Sequence, residues 1–191
     1  MKNVLLASFL FVLLFSACRN VQLYNETTYP SEEDFVTTDT LAFYLEDLLW
    51  IPFGWSAGLG FFNPEPNTFN YNFRQEAPGG YAFEILSAMR IATDSDIVLD
   101  QTIHAELNNI ALSELPGVFV LDSTSNRYWT LKDQKQDKLF ISTADHPITL
   151  EIPVFDTLQG RMEGFFEGQL VNREDPSEVV TVTEGRFSVS F

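Results

Sequence analysis

Cysteine is almost absent from this chain: Cys18 is the one example in 191 residues. A lone thiol has nothing to pair with inside the molecule, so disulfides and thiolate metal sites are excluded and the fold must be held by its core. Histidine is nearly as scarce, and the two present, His104 and His146, stand too far apart for a local zinc signature. Positive charge is short as well. Eleven Lys and Arg face 27 Asp and Glu, a formal net charge of −16, and a surface this acidic repels phosphate backbones and anionic lipid. Nucleic acid is therefore not an expected partner, and attachment to a membrane must come from something other than a basic patch. The chain has no glycine-rich phosphate loop between a strand and a helix. Its turn acids (Asp94 with Asp96, Asp122 with Asn126, Asp133 with Asp137) do not follow the calcium-loop pattern either. No metal and no cofactor is predicted.

The first residues read as an export signal. Lys2 supplies the positive end, Val4 to Phe15 an apolar run too short to span a bilayer comfortably, and Phe15-Ser16-Ala17-Cys18 two small residues ahead of the cysteine. This arrangement resembles the lipobox of bacterial lipoproteins, which implies that Cys18 is diacylated through its sulfur and becomes the first residue of the mature protein. An ordinary cleavable signal with an incidental cysteine is the alternative. Residues 1–17 are thus expected to be a lipoprotein signal peptide. Residues 18–38, polar with Pro30 and the acidic run Glu32-Glu33-Asp34, are expected to be a lipid-anchored tether. Residues 39–191 suit one domain with a substantial, phenylalanine-rich core. Arg19, Asn20 and Val21 follow the cysteine where a surface-export tag would place acids, so the expected address is the outer membrane, facing the periplasm.

In the domain, apolar residues recur at every second position between compact turn signals. Ile148, Leu150, Ile152 and Val154 alternate; Asp156 to Gly160 is a turn; Met162 to Val171 carries Phe166 and Leu170; and Val179 to Phe191 forms the last run. These three runs predict an antiparallel meander. Upstream, Leu41 to Phe53 predicts strand, turn at Glu46-Asp47, and strand. Phe69, Tyr71 and Phe73 alternate, as do Phe83, Ile85, Met89 and Ile91 with Ser87 in register. Ile97 to Leu99, Ile103 to Leu107, Val118 to Leu121, Tyr128 to Leu131 and Leu139 to Ser142 are further strands. Close-set strands without a long helical period predict a single antiparallel β-sandwich, with a partly open β-barrel as alternative. In the last run the parity changes between Val182 and Phe187, which predicts a one-residue bulge at Gly185 that keeps both sets on the core face.

Three patterns bear on chemistry. Gly54-Trp55-Ser56-Ala57-Gly58 matches the G-x-S-x-G nucleophile elbow, but Pro64 and Pro66 follow where the elbow needs a helix, so a serine hydrolase using Ser56 is only a remote alternative. Glu163 and Glu167 share a strand face on either side of Phe165, with backbones roughly 13 Å apart, too far for a glycosidase pair. Trp55, Tyr128 and Trp129 are candidate stacking platforms for a ligand. Tyr128 and Trp129 are adjacent, so in a strand one of the two must face outward.

Leu115-Pro116-Gly117-Val118-Phe119-Val120-Leu121, Lys138-Leu139-Phe140-Ile141-Ser142-Thr143, Met162-Glu163-Gly164-Phe165-Phe166 and Thr183-Glu184-Gly185-Arg186-Phe187 together resemble small Bacteroidetes-type lipoproteins carrying a β-rich domain of unknown function. The resemblance implies a cell-envelope lipoprotein and supplies no catalytic residue. It also implies O-glycosylation at Asp-Ser/Thr-apolar or Asp-Ser/Thr-Thr sites, for which Thr40, Ser123 and Thr157 qualify. The expected function is a non-catalytic, monomeric, lipid-anchored binding or structural module for a glycan or an envelope protein. The alternative is a carrier of a small apolar ligand in a barrel cavity.

Overall fold

The computed structural model describes residues 40–57, 64–66, 68–76, 79–92, 96–124 and 126–191; the expected signal, tether and Cys18 lie outside them. Thirteen strands follow in chain order: β1 (Thr40–Leu45), β2 (Leu48–Trp50), β3 (Trp55–Ala57), β4 (Pro64–Pro66), β5 (Asn70–Glu76), β6 (Gly80–Ala92), β7 (Ile97–Ile110), β8 (Gly117–Leu121), β9 (Arg127–Asp133), β10 (Lys138–Ile141), β11 (Ile148–Asp156), β12 (Arg161–Asn172) and β13 (Val179–Ser190). A 3-10 turn at Leu112–Glu114 separates β7 from β8. The alternation read from the sequence is the reason for these strands: in β9, for example, Trp129, Leu131 and Asp133 are buried while Tyr128, Thr130 and Lys132 are partly exposed. One expectation needs correction. Ile97 to Leu99 and Ile103 to Leu107 are not two strands but one, because Asp100 and Gln101 continue the ladder to β6.

Eleven strands join a single antiparallel sheet, and β3 and β4 form a separate ribbon. The sheet runs β2-β1-β13-β12-β10-β9-β7-β6-β5 and forks at β12, whose far edge is shared by β10 at one end and β11 at the other, with β8 outside β11. The sheet curls. Phe83 of β6 meets Phe187 of β13 with ring centroids 5.2 Å apart, although four strands lie between them in the sheet. Along the closing side, Phe53 makes a parallel bridge to Met89, accepting from the Arg90 N–H at 2.9 Å and donating to the Ala88 carbonyl at 3.2 Å. The architecture is thus an open, curled antiparallel sheet, a half-barrel. It corrects the expected sandwich of two separate sheets and stands nearer the partly open barrel, because one continuous ladder wraps the core instead of two layers facing each other.

The C-terminal meander is β11-β12-β13. Its expected bulge is present one step away from the expected residue. Phe166 pairs with Gly185 and Gly168 with Val182, so Thr183 and Glu184 oppose Glu167 alone, and Glu184 takes the left-handed conformation (φ 52). Val182 and Phe187 are both buried as a result. A second irregularity between Glu151 and Val154 accommodates Pro153, which cannot donate to a ladder.

Inside the curl, Phe43 stacks on Trp50 (4.9 Å, planes 20° apart) and meets Phe166 edge-on at 5.6 Å, while Trp129 lies 4.4 Å from Phe166. Around this stack pack Leu41, Ile85, Met89, Ile103, Leu131, Leu150 and Val189. A short polar chain crosses the core: Trp50 Nε1 donates to Gln101 Oε1 (3.2 Å), Gln101 Nε2 donates to Asp133 Oδ2 (3.1 Å), and the Gln136 N–H donates to Asp133 Oδ1 (2.9 Å). Each buried group in it is hydrogen-bonded, which is what allows a carboxylate there.

Candidate functional site

The residues singled out from the sequence fall in different places. Trp129 is 0 % exposed and belongs to the core stack, so its ring is not a surface platform; Leu131, on the same parity, goes inward with it. Tyr128 is the outward partner. Ser56 lies within β3, in register with Glu65, so it does not occupy the strand-to-helix turn that a nucleophile elbow needs. Trp55 stands beside it in the same ribbon. Thr40 opens β1 opposite Ser188, Ser123 (φ 64) donates its hydroxyl to the Ser142 carbonyl at 2.6 Å, and Thr157 is exposed in the turn after β11.

Tyr128 anchors a polar cluster on the outer face of β5, β6, β7 and β9. The ladder sets Asn72, Glu84, Glu106 and Tyr128 in one row. Glu84 and Glu106 are direct cross-strand neighbours, an arrangement of like charges that is unfavourable by itself. Arg74 resolves it by donating to Glu84 Oε2 at 3.2 Å and to Glu106 Oε1 at 3.0 Å. His104 sits 3.1 Å from Glu84 Oε1, and Tyr128, edge-to-face with the His104 ring, donates to Glu106 Oε2 at 2.6 Å. The Tyr128 hydrogen bond, with Arg74 beside it, holds the Glu106 carboxyl below the usual carboxylate range. Burial, then the bond to Glu106, pushes the Tyr128 phenol up. Both shifts lead away from neutrality, where a general acid or base works best, so this cluster is built as a staple across four strands. Sequence reasoning named Tyr128 and His104 without joining them and did not find Arg74, Glu84 or Glu106, whose common signal is only an outward parity. Among the described residues no group of three or more His, Cys, Asp or Glu is placed to hold a metal ion.

A different feature lies where the curled sheet meets itself. Phe73 of β5 stacks on Tyr81 (5.3 Å, planes 8° apart) and reaches across to Phe155 of β11 (5.5 Å) and to Phe191 just beyond β13 (5.3 Å); Phe155 and Phe191 stack in turn at 5.6 Å. The Tyr71 hydroxyl donates to the Ser190 carbonyl beside them. Phe73, Tyr81 and Phe155 are half-buried and Phe191 is 47 % exposed. Here side chains, rather than a strand ladder, join β5 to the ends of β11 and β13. In the core below, Trp129 Nε1 is buried and finds no acceptor among the described residues. Compared with known proteins, the chain matches no family model, no curated protein and no solved structure.

Proposed function

We propose that this is a non-catalytic carrier or binding domain for a small apolar or aromatic ligand, taken up at the seam of the half-barrel and held in the cell envelope by lipid on Cys18. The observation that carries the reading is the four-ring cluster of Phe73, Tyr81, Phe155 and Phe191, partly open to solvent where side chains join β5 to the ends of β11 and β13. Ring pairs of this kind contribute about 0.5–1.5 kcal/mol each beyond their burial, so an intruding ring or alkyl group exchanges one such contact for another at little net cost. A polar ligand would leave its groups unsatisfied there. The curled sheet favours this reading over a sandwich that binds glycan on Trp55, Tyr128 and Trp129, since Trp129 is inside and the Tyr128 hydroxyl is engaged by Glu106. The envelope lipoprotein family resembled by the sequence belongs to the same proposal.

Titration of the full chain with a neutral solvatochromic dye such as Nile red tests it. Saturable fluorescence enhancement is expected, competed by naphthalene or a medium-chain alcohol and weakened in Phe73→Ala and Phe155→Ala. Absence of saturation, or enhancement indifferent to both substitutions while the variants stay folded, would overturn it.

A further inference from the structure

The outer face of β11, β12 and β13 carries a feature unrelated to the seam. Glu163, Phe165 and Glu167 of β12 point away from the core, and Phe165 is 54 % exposed. The ladder places Phe165 between Glu151 of β11 and Arg186 of β13, and Glu167 beside Thr149. The bulge in β13 turns Glu184 outward next to them. Together Thr149, Glu151, Phe165, Glu167, Glu184 and Arg186 line a hollow of about 430 Å³, within the size range of small-ligand and side-chain pockets. On β8, Val118 (64 % exposed) stands opposite Glu151 and Val120 (49 % exposed) opposite Thr149, extending the apolar surface to one side.

Charge and shape narrow the occupant. Among the described residues Glu151, Glu167 and Glu184 enter no ion pair, and the lining offers one cation, Arg186, against these three carboxylates. An anion is repelled by this wall and by the net charge of −16. A neutral sugar makes hydrogen bonds but leaves the carboxylates unbalanced. A Lys or Arg head gains both the carboxylates and the face of Phe165. From β8 to β13 is three strand spacings, about 14 Å, the reach of roughly four extended residues, with apolar contacts at the valine end and acids around the ring. We propose that this face binds an extended basic peptide segment of a partner protein, its cationic side chain seated over Phe165 among Glu151, Glu167 and Glu184 and its apolar side chains on Val118 and Val120.

Fluorescence anisotropy of the full chain with a labelled, end-capped peptide alternating leucine and lysine is the test. Saturable binding is expected, weakening as salt is raised from 20 to about 200 mM and falling about tenfold in Phe165→Ala and again in the double variant Glu151→Gln/Glu167→Gln. Phe165 is exposed, so Phe165→Ala should keep the parent's thermal midpoint, and Phe73→Ala at the seam should leave peptide binding unchanged. Any of four results overturns the proposal: no saturable binding, equal affinity for the peptide with glutamate in place of lysine, binding indifferent to Phe165 and to both glutamates, or tighter binding of a neutral oligosaccharide or of spermidine than of the basic peptide.

Discussion

Gly185 of β13 pairs with Phe166 of β12, and the phenyl ring lies over the glycine so closely that an added Cβ would fall inside the ring's van der Waals shell. The same device repeats two residues along the ladder, where the ring of Phe187 covers Gly164. These glycines make room for rings that the core stack needs, since Phe166 in turn supports Trp129 and Phe43. Gly185→Ala meets both the ring and the carbonyl oxygen of Phe166, so ring and strand must both shift, and it should cost about 1–3 kcal/mol, the usual range for overpacking. Urea unfolding of the variant beside the parent measures it. An unchanged midpoint would mean the ring has room that the packing denies.

Trp50 and Trp129 offer an internal comparison. Both are fully buried, but Trp50 Nε1 donates to Gln101 whereas Trp129 Nε1 has no acceptor among the described residues. Tryptophan to phenylalanine removes similar apolar area at the two sites, so the difference between the variants isolates the indole N–H. Trp50→Phe leaves Gln101 Oε1 short of a donor inside the core, while Trp129→Phe removes an unsatisfied one. Trp50→Phe should therefore be the more destabilising by about 1–3 kcal/mol, read from paired denaturant curves.

Strand positions were legible because alternation is a local property: Phe83 to Ile91, Ile148 to Val154 and the parity change before Phe187 each sit within a few residues. The pairing of β1 with β13, β7 with β9 and β10 with β12 is not local. Curling into one sheet rather than stacking as two follows from those long-range registers, which no window of sequence contains. The staple on the outer face escaped for the same reason, since Arg74, Glu84, His104, Glu106 and Tyr128 come from four strands. For Tyr128 and Trp129 the sequence showed only that one of the two must face outward, and the structure, by burying Trp129 with Leu131, makes Tyr128 the outward one. Ring clusters such as Phe73 with Phe155 and Phe191 join residues far apart in the chain, so the seam was visible only as an abundance of phenylalanine.

Arg74 is the counter-ion that lets Glu84 and Glu106 face each other. Arg74→Met keeps most of the hydrocarbon but leaves two carboxylates opposed, so the domain should lose stability, by no more than about 1 kcal/mol because the cluster is partly solvated. The loss should shrink at high salt, where repulsion between exposed charges is screened. Thermal melts at 20 mM and about 500 mM sodium chloride distinguish this from a packing effect, which salt would not relieve.

Tyr128→Phe tests the same staple through pH. Glu106 is held below its ordinary value of 4.5, first by the Tyr128 hydroxyl, so its contribution is complete above that value and is lost as pH falls through the lower folded value. Tyr128 is shifted up, by burial and then by Glu106. Its contribution is complete below the ordinary tyrosine value of about 10 and is lost as pH rises above that, because the unfolded phenol ionises first. Removing one hydroxyl removes the Tyr128 titration altogether and the largest of the causes that lower Glu106, leaving those of Arg74 and Asn108 in place. The stability gap between parent and Tyr128→Phe should therefore be widest in the plateau between these limits and should narrow on both sides, at acid pH as Glu106 takes up its proton and at alkaline pH as the unfolded parent loses one. Urea midpoints of the two proteins across the pH range map the gap, and a gap of constant size would show that the bond between Tyr128 and Glu106 holds no linked proton.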